Sequence, residues 1–356
     1  MCAGSWLRPG DPERLAREAA YRAEGREQQD LVWVRPDEFD AWRAGKWKCG
    51  DAWLDAQEAD AWHASLDRPW QVPGEHFLVT STAPRETVRS AVWHADRTHA
   101  ELARLFGLQP AARPEVVVLR SLEQYNTFAG GDGVSRQPTE QTGHSSIHFA
   151  YFAESRFETA TTPPLWHGAG VAYWDAADPE LAPYGLHAVR HAAALAYVDA
   201  IDPSWNTIAA TVAGDHPLLP AAEFWSEKRI PAWLRLGAAS YVERYFVDRE
   251  VPEGGDPLWA RRWALGNLAR QGGLEPLGNV FACELDTADP TTSGRRIAEA
   301  GLVVAFVLDG PCGQVADAHA DWKEALAEGG DLTGATRALA AAITANEAKL
   351  RAFAGL

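Results

Sequence analysis

Two stretches constrain this chain more than anything else in it. They are Tyr184-Gly-Leu-His-Ala-Val-Arg-His-Ala-Ala-Ala-Leu-Ala-Tyr-Val-Asp199 and Ile230-Pro-Ala-Trp-Leu-Arg-Leu-Gly-Ala-Ala-Ser-Tyr-Val-Glu-Arg-Tyr245. Both read as helices. The first carries His187 and His191 four residues apart, which puts both imidazoles on one helix face. A small α/β unit is predicted upstream of them. His76–Ser81 reads as a strand. Pro84–Phe106 reads as an amphipathic helix with apolar positions at Val88, Val92, Ala95, Leu102 and Leu105, ended by Gly107. Pro114–Arg120 is a buried strand, and Gly143–Phe152 and Gly168–Trp174 complete the sheet. Beyond Asp256 the spacing is helical over Leu258–Arg270, Gly294–Val307 and Asp331–Phe353, with Asn279–Glu284 as a short extended piece. No repeat of fixed period is visible.

The second stretch contains Pro231-Ala-Trp-Leu-Arg-Leu-Gly-Ala-Ala-Ser-Tyr241. It resembles the second motif helix of gluzincin-type zinc metallopeptidases, which often reads Pro-x-Trp-Leu-x-Glu-Gly-x-Ala-x-Tyr. In that family a first helix carries His-Glu-x-x-His, and the Glu of the second helix is the third zinc ligand. Here Leu236 stands at the Glu position, and the first motif reads His191-Ala192-Ala193-Ala194-Leu195. One His remains, while the catalytic Glu and the second His are replaced by Ala192 and Leu195. The resemblance runs from about His76 to the C-terminus and is specific at the two motif helices alone. It implies an α+β fold: a zincin-like small mixed sheet with long helices, then a mainly helical C-terminal subdomain. The expected division is 1–75 (a Trp-rich irregular or helical arm), 76–250 (the zincin-like unit) and 251–356 (the helical subdomain).

The chemistry follows from what the replaced positions can offer. A zinc peptidase needs two His one helical turn apart, a third protein ligand, and a base beside the metal-bound water. Ala192 offers no base, and Leu195 and Leu236 offer no ligand. Apolar replacements also avoid leaving buried carboxylates unpaired. The expected protein is therefore a catalytically inactive peptidase relative with no cofactor, binding a peptide or protein or serving a structural task. Leu195 and Leu236 are expected to fill the space of the metal. The alternative is zinc held by a displaced set, His187 and His191 with Glu243 from the facing helix, without a base because Ala188 follows His187. If a peptide cleft is retained, His144, Tyr151, Trp174, Tyr241 and Tyr245 are the expected lining. His144 and His148 lie four apart on a strand, roughly 13 Å from each other, too far to share an ion. His94 and His99, five apart on a helix, do not face one another.

Composition narrows the partners. A formal charge of −16 over 356 residues argues against a nucleic-acid groove, which needs a basic surface. No apolar run approaches the roughly 20 residues a transmembrane helix needs. The 16 tryptophans, many of them early in the chain, are expected to staple its N-terminal arm to the body rather than to form a glycan platform. Cys2, Cys49, Cys283 and Cys312 show no metal-finger spacing; Cys283 and Cys312 are either bridged or buried thiols. Cys2 before small residues suits the start of a lipoprotein. A removed leader would make the chain extracytoplasmic, and otherwise it would be cytoplasmic.

Overall fold

A computed structural model describes residues 18–125, 149–154, 167–179, 181–182, 185–202, 229–243, 273–283 and 290–356. The N-terminal arm is more regular than the sequence suggests. After a helical segment over 18–23 come two antiparallel hairpins, β1 (Glu27–Gln29) with β2 (Val32–Val34), and β3 (Trp47–Cys49) with β4 (Ala52–Leu54). The first leads through a 3-10 turn, Pro36–Glu38, into α1 (Phe39–Arg43); the second leads into α2 (Ala56–Trp62). Trp47 and Trp70 are buried and meet edge to face at 5.8 Å, in a small core with Leu31, Cys49, Ala59 and Val72. Trp47 joins the arm to the body here, its ring removing a large apolar area from water against Trp70 and Val88.

The body is built on a five-stranded sheet of order β5-β6-β7-β9-β8: β5 (Trp70–Pro73), β6 (Leu78–Ser81), β7 (Glu115–Leu119), β8 (Phe149–Glu154) and β9 (His167–Tyr173). β6, β7 and β9 run parallel, and β5 and β8 flank them antiparallel. The run Val116-Val117-Val118-Leu119 is buried throughout, as a central strand covered on both faces should be. Joining β6 to β7 is α3 (Arg85–Phe106), whose apolar stripe faces inward and whose end is Gly107 in the left-handed region, φ 69°.

Against the sheet lies α4 (Gly185–Ile201), and α5 (Ala232–Val242) packs beside it. Nearly every residue of both helices is buried. Such helices need neighbours on all sides. α4 has β7, β8 and β9 on one side and α3 and α5 on others, while α5 is covered by α7 (Pro290–Asp309). Two close approaches set this packing. A Cβ on Gly170 of β9 would collide with the Ala192 carbonyl of α4, and one on Gly237 of α5 would lie 2.6 Å from the Ala300 carbonyl of α7.

The C-terminal region is helical, with three departures from expectation. Residues 279–282 are not extended; they belong to α6 (Leu277–Ala282), which ends at Cys283 with φ 45°. Between α7 and the last helices the chain forms α8 (Gly313–Glu328), absent from the sequence reading. The helix expected over Asp331–Phe353 is two, α9 (Leu332–Ala345) and α10 (Glu347–Ala354). They part at Asn346, whose amide side chain donates to Ala342 O and Gln314 Oε1. Such local side-chain bonding competes with helix continuation. Cys49, Cys283 and Cys312 are buried free thiols. Among the described residues the main apolar core draws on α3, β6, β7, β9, α4, α5 and the C-terminal helices. The helix expected over Leu258–Arg270 lies outside the described residues. Among those described, no single helix is long and apolar enough to cross a membrane.

Candidate functional site

Where α4 meets the end of α5, the core turns polar. Arg190 is the one Lys or Arg in a mostly apolar helix, and at 2% exposure it must find partners inside the protein. Its Nε donates to His94 Nδ1 of α3 at 3.1 Å, and its NH1 donates to Val242 O at 3.3 Å. That carbonyl lies at the negative end of α5, which favours a cation there. One residue further on, Glu243 turns its side chain back toward α4, and its Oε1 meets Nδ1 of His191. Its backbone carbonyl accepts from His187 Nδ1 at 2.8 Å.

Burial decides the protonation of this cluster. His187 is lowered to about 4 by burial, with Arg190 adding to the effect against the opposing hydrogen bond to Glu243 O. His94 falls to about 3, by burial first and then by the Arg190 and His187 charges. Burial alone holds His191 well below, and Glu243 well above, their ordinary values. Both members of that pair are thereby driven to the neutral form, and the contact becomes a carboxyl O–H donating to imidazole nitrogen. With His187 Nδ1 donating to a carbonyl and His94 Nδ1 accepting from arginine, each ring is fixed in one tautomer.

The expected site residues fall into three groups. His187, His191 and Glu243 come together, but not around one point: His187 aims Nδ1 at the backbone carbonyl while His191 aims Nδ1 at the carboxyl. A shared zinc ion would need the donor atoms to converge at about 2 Å from a common centre. Among the described residues, no group of three or more His, Cys, Asp or Glu side chains is placed to hold a metal ion.

The positions that differ from the peptidase motif are closed by packing. Ala192 is fully buried with its carbonyl against Gly170. Leu195 and Leu236 are 2% and 4% exposed and belong to the same continuous core. Burying each stabilises the fold by about 1.5–3 kcal/mol, which a metal ligand there would forfeit. Beside Leu236, Arg235 pairs with Asp199 of α4 at 3.5 Å, both within the core.

Of the expected cleft residues, Trp174 and Tyr241 have described side chains, and these two make different contacts. Trp174 follows β9, donates Nε1 to Ala182 O at 3.0 Å and packs on Gly185; its ring lies 6.0 Å from that of His94. Tyr241 points elsewhere, its hydroxyl donating to Asp309 at 2.9 Å and accepting from Arg104 at 2.7 Å. Tyr151 lies on β8, in register with Gly170. His144 and Tyr245 lie outside the described residues. The sequence reading missed His94 and Arg190. A lone arginine in an apolar helix was the available signal for one, but nothing in sequence separation relates position 94 to position 190.

Compared with protein-family models, with curated proteins and with solved structures, the chain matches none of them. The likeness to gluzincins rests on the sequences of the two motif helices alone.

Proposed function

We propose that this chain is a catalytically silent gluzincin-like protein, its metal site given over to core packing, and that its retained role is to bind a peptide or protein. The observation that carries this reading is the burial of Ala192, Leu195 and Leu236, at the base, second-His and third-ligand positions, within one apolar core. The arrangement of the motif helices supports it too: α4 lies against β9 and β8 with α5 alongside. In the proposed role an extended peptide would pair along β8, a strand bordered on one side by β9.

Elemental analysis after dialysis against zinc, together with a peptide-hydrolysis screen, tests the silent reading. It expects less than a tenth of an equivalent of zinc and no turnover. One equivalent of zinc lost in His191→Ala would overturn it.

A second reading places zinc on His187, His191 and Glu243. It is favoured by the approach of the Glu243 carboxyl to His191 across the helix interface. Under that reading zinc is stoichiometric and disappears in both His187→Ala and Glu243→Ala. Under the first, neither substitution changes the metal content.

A further inference from the structure

The N-terminal arm holds a pattern that neither of these readings uses. We infer that residues 26–65 are two copies of one 20-residue hairpin–helix unit, interchangeable as the cap that closes the start of α3. Six of the twelve positions from 33 to 44 recur unchanged 20 residues later: Trp33 as Trp53, Glu38 as Glu58, Asp40 as Asp60, Ala41 as Ala61, Trp42 as Trp62 and Ala44 as Ala64.

The geometry repeats with the same offset. β1 pairs with β2 through Glu27↔Val34, and β3 pairs with β4 through Trp47↔Leu54. Both hairpins turn through a residue in the left-handed region, Asp30 at φ 54° and Gly50 at φ 61°. Behind each, a glutamate reaches back to the backbone N–H that opens its helix: Arg35 N donates to Glu38 and Asp55 N donates to Glu58, each at 3.0 Å. The entry to each unit matches as well. Gly25 and Gly45 both have positive φ, and Arg26 N to Tyr21 O and Lys46 N to Ala41 O are equivalent helix-ending bonds at 2.9 and 3.1 Å. A 20-residue register shared by entry, turn and cap is not expected of two unrelated hairpins.

The second copy shows what the unit does. Helix α3 begins behind Pro84, whose side chain offers no oxygen to its first N–H groups. Asp60 supplies one, accepting from Arg85 N and from Arg85 Nε, both at 2.9 Å. A carboxylate at a helix start is also favoured by the helix dipole. The Arg85 and Arg89 guanidinium groups lie 4.7 and 5.6 Å from the ring centre of Trp47 in the same copy. In the first copy the equivalent aspartate, Asp40, is fully exposed, with Arg43 3.8 Å away. That copy is tied on instead by its turn, through the Asp30–Arg89 ion pair.

If the copies are equivalent, removing one period should slide the first into the second's place. Three full-length backgrounds are compared by thermal unfolding: the intact chain, a chain lacking 45–64 and a chain lacking 45–54. In the intact chain, Asp60→Ala should lower Tm by about 2 °C and Asp40→Ala should leave it unchanged. The chain lacking one whole period should keep a single cooperative transition, and in it Asp40→Ala should now lower Tm as Asp60→Ala did. The chain lacking half a period should lose that transition. The proposal is overturned if the 20-residue deletion unfolds the protein as fully as the 10-residue one. It is also overturned if Asp40→Ala stays without effect in the shortened chain, or if Asp60→Ala is silent in the intact one.

Discussion

Gly170 is the residue on which the position of α4 turns. Its missing side chain lets the Ala192 carbonyl come against β9, and no rotamer change can relieve a collision between a Cβ and backbone. Gly170→Ala is therefore expected to cost about 3 kcal/mol or more, read as a fall in the urea midpoint at unchanged m-value. Glu243 offers a gentler test. Because burial keeps its carboxyl neutral, Glu243→Gln preserves a donor facing His191 and should cost less than about 1 kcal/mol. Glu243→Ala leaves a buried imidazole nitrogen without that donor and should cost about 1–3 kcal/mol. Equal losses for the two variants would mean that the carboxylate charge, not the hydrogen bond, holds the pair.

At the scale of elements, α4 and α5 are held by contacts of opposite character. An apolar interface surrounds the buried Arg235–Asp199 ion pair, while α5 in turn meets α7 through small residues, Gly237 facing Ala300 and Gly301 facing Ser240. Removing one member of a buried pair takes from the other the charge that faced it in a low-dielectric interior. Asp199→Ala is thus expected to cost about 3–5 kcal/mol, against less than about 0.5 for an exposed control such as Asp40→Ala. Chemical denaturation of the two variants side by side checks it. Comparable losses would show that Asp199 carries no such burden.

Over the whole molecule, buried histidines set the response to acid. His63, His187 and His319 are held to about 4 and His94 to about 3, in each case first by burial. Unfolded, each would take its proton near 6.5. Between that value and the folded one the unfolded chain binds more protons, so stability falls as pH falls. Each group contributes up to about 1.4 kcal/mol per pH unit. Glu243 and Glu299, raised by burial, act in the opposite sense: the fold keeps protons that the unfolded chain releases above about 4.5, so these two groups lose stability as pH rises. Among the described residues the lowered histidines, His191 with them, outnumber the two raised glutamates. The urea midpoint should hold near neutral pH and decline from about 6.5 toward 4. A midpoint that rises on acidification over that range would contradict the assignment.

Much of the architecture was legible in the chain itself. The valines of β7, the apolar stripe and closing glycine of α3, and the mostly apolar course of α4 and α5 are local patterns, and local patterns fix periodicity and burial. The sequence also determined that Ala192, Leu195 and Leu236 have no ligand or base to offer, since that is a matter of side-chain chemistry. What it could not determine was which distant groups meet. Glu243 turning back onto His191, Arg190 reaching His94 on another helix, and Asp60 capping a helix that begins 25 residues later each depend on how elements are stacked. The repeat stayed hidden for a related reason. Fourteen of its 20 positions differ between copies, while the turn, the cap and the strand register tolerate such changes because backbone geometry carries them.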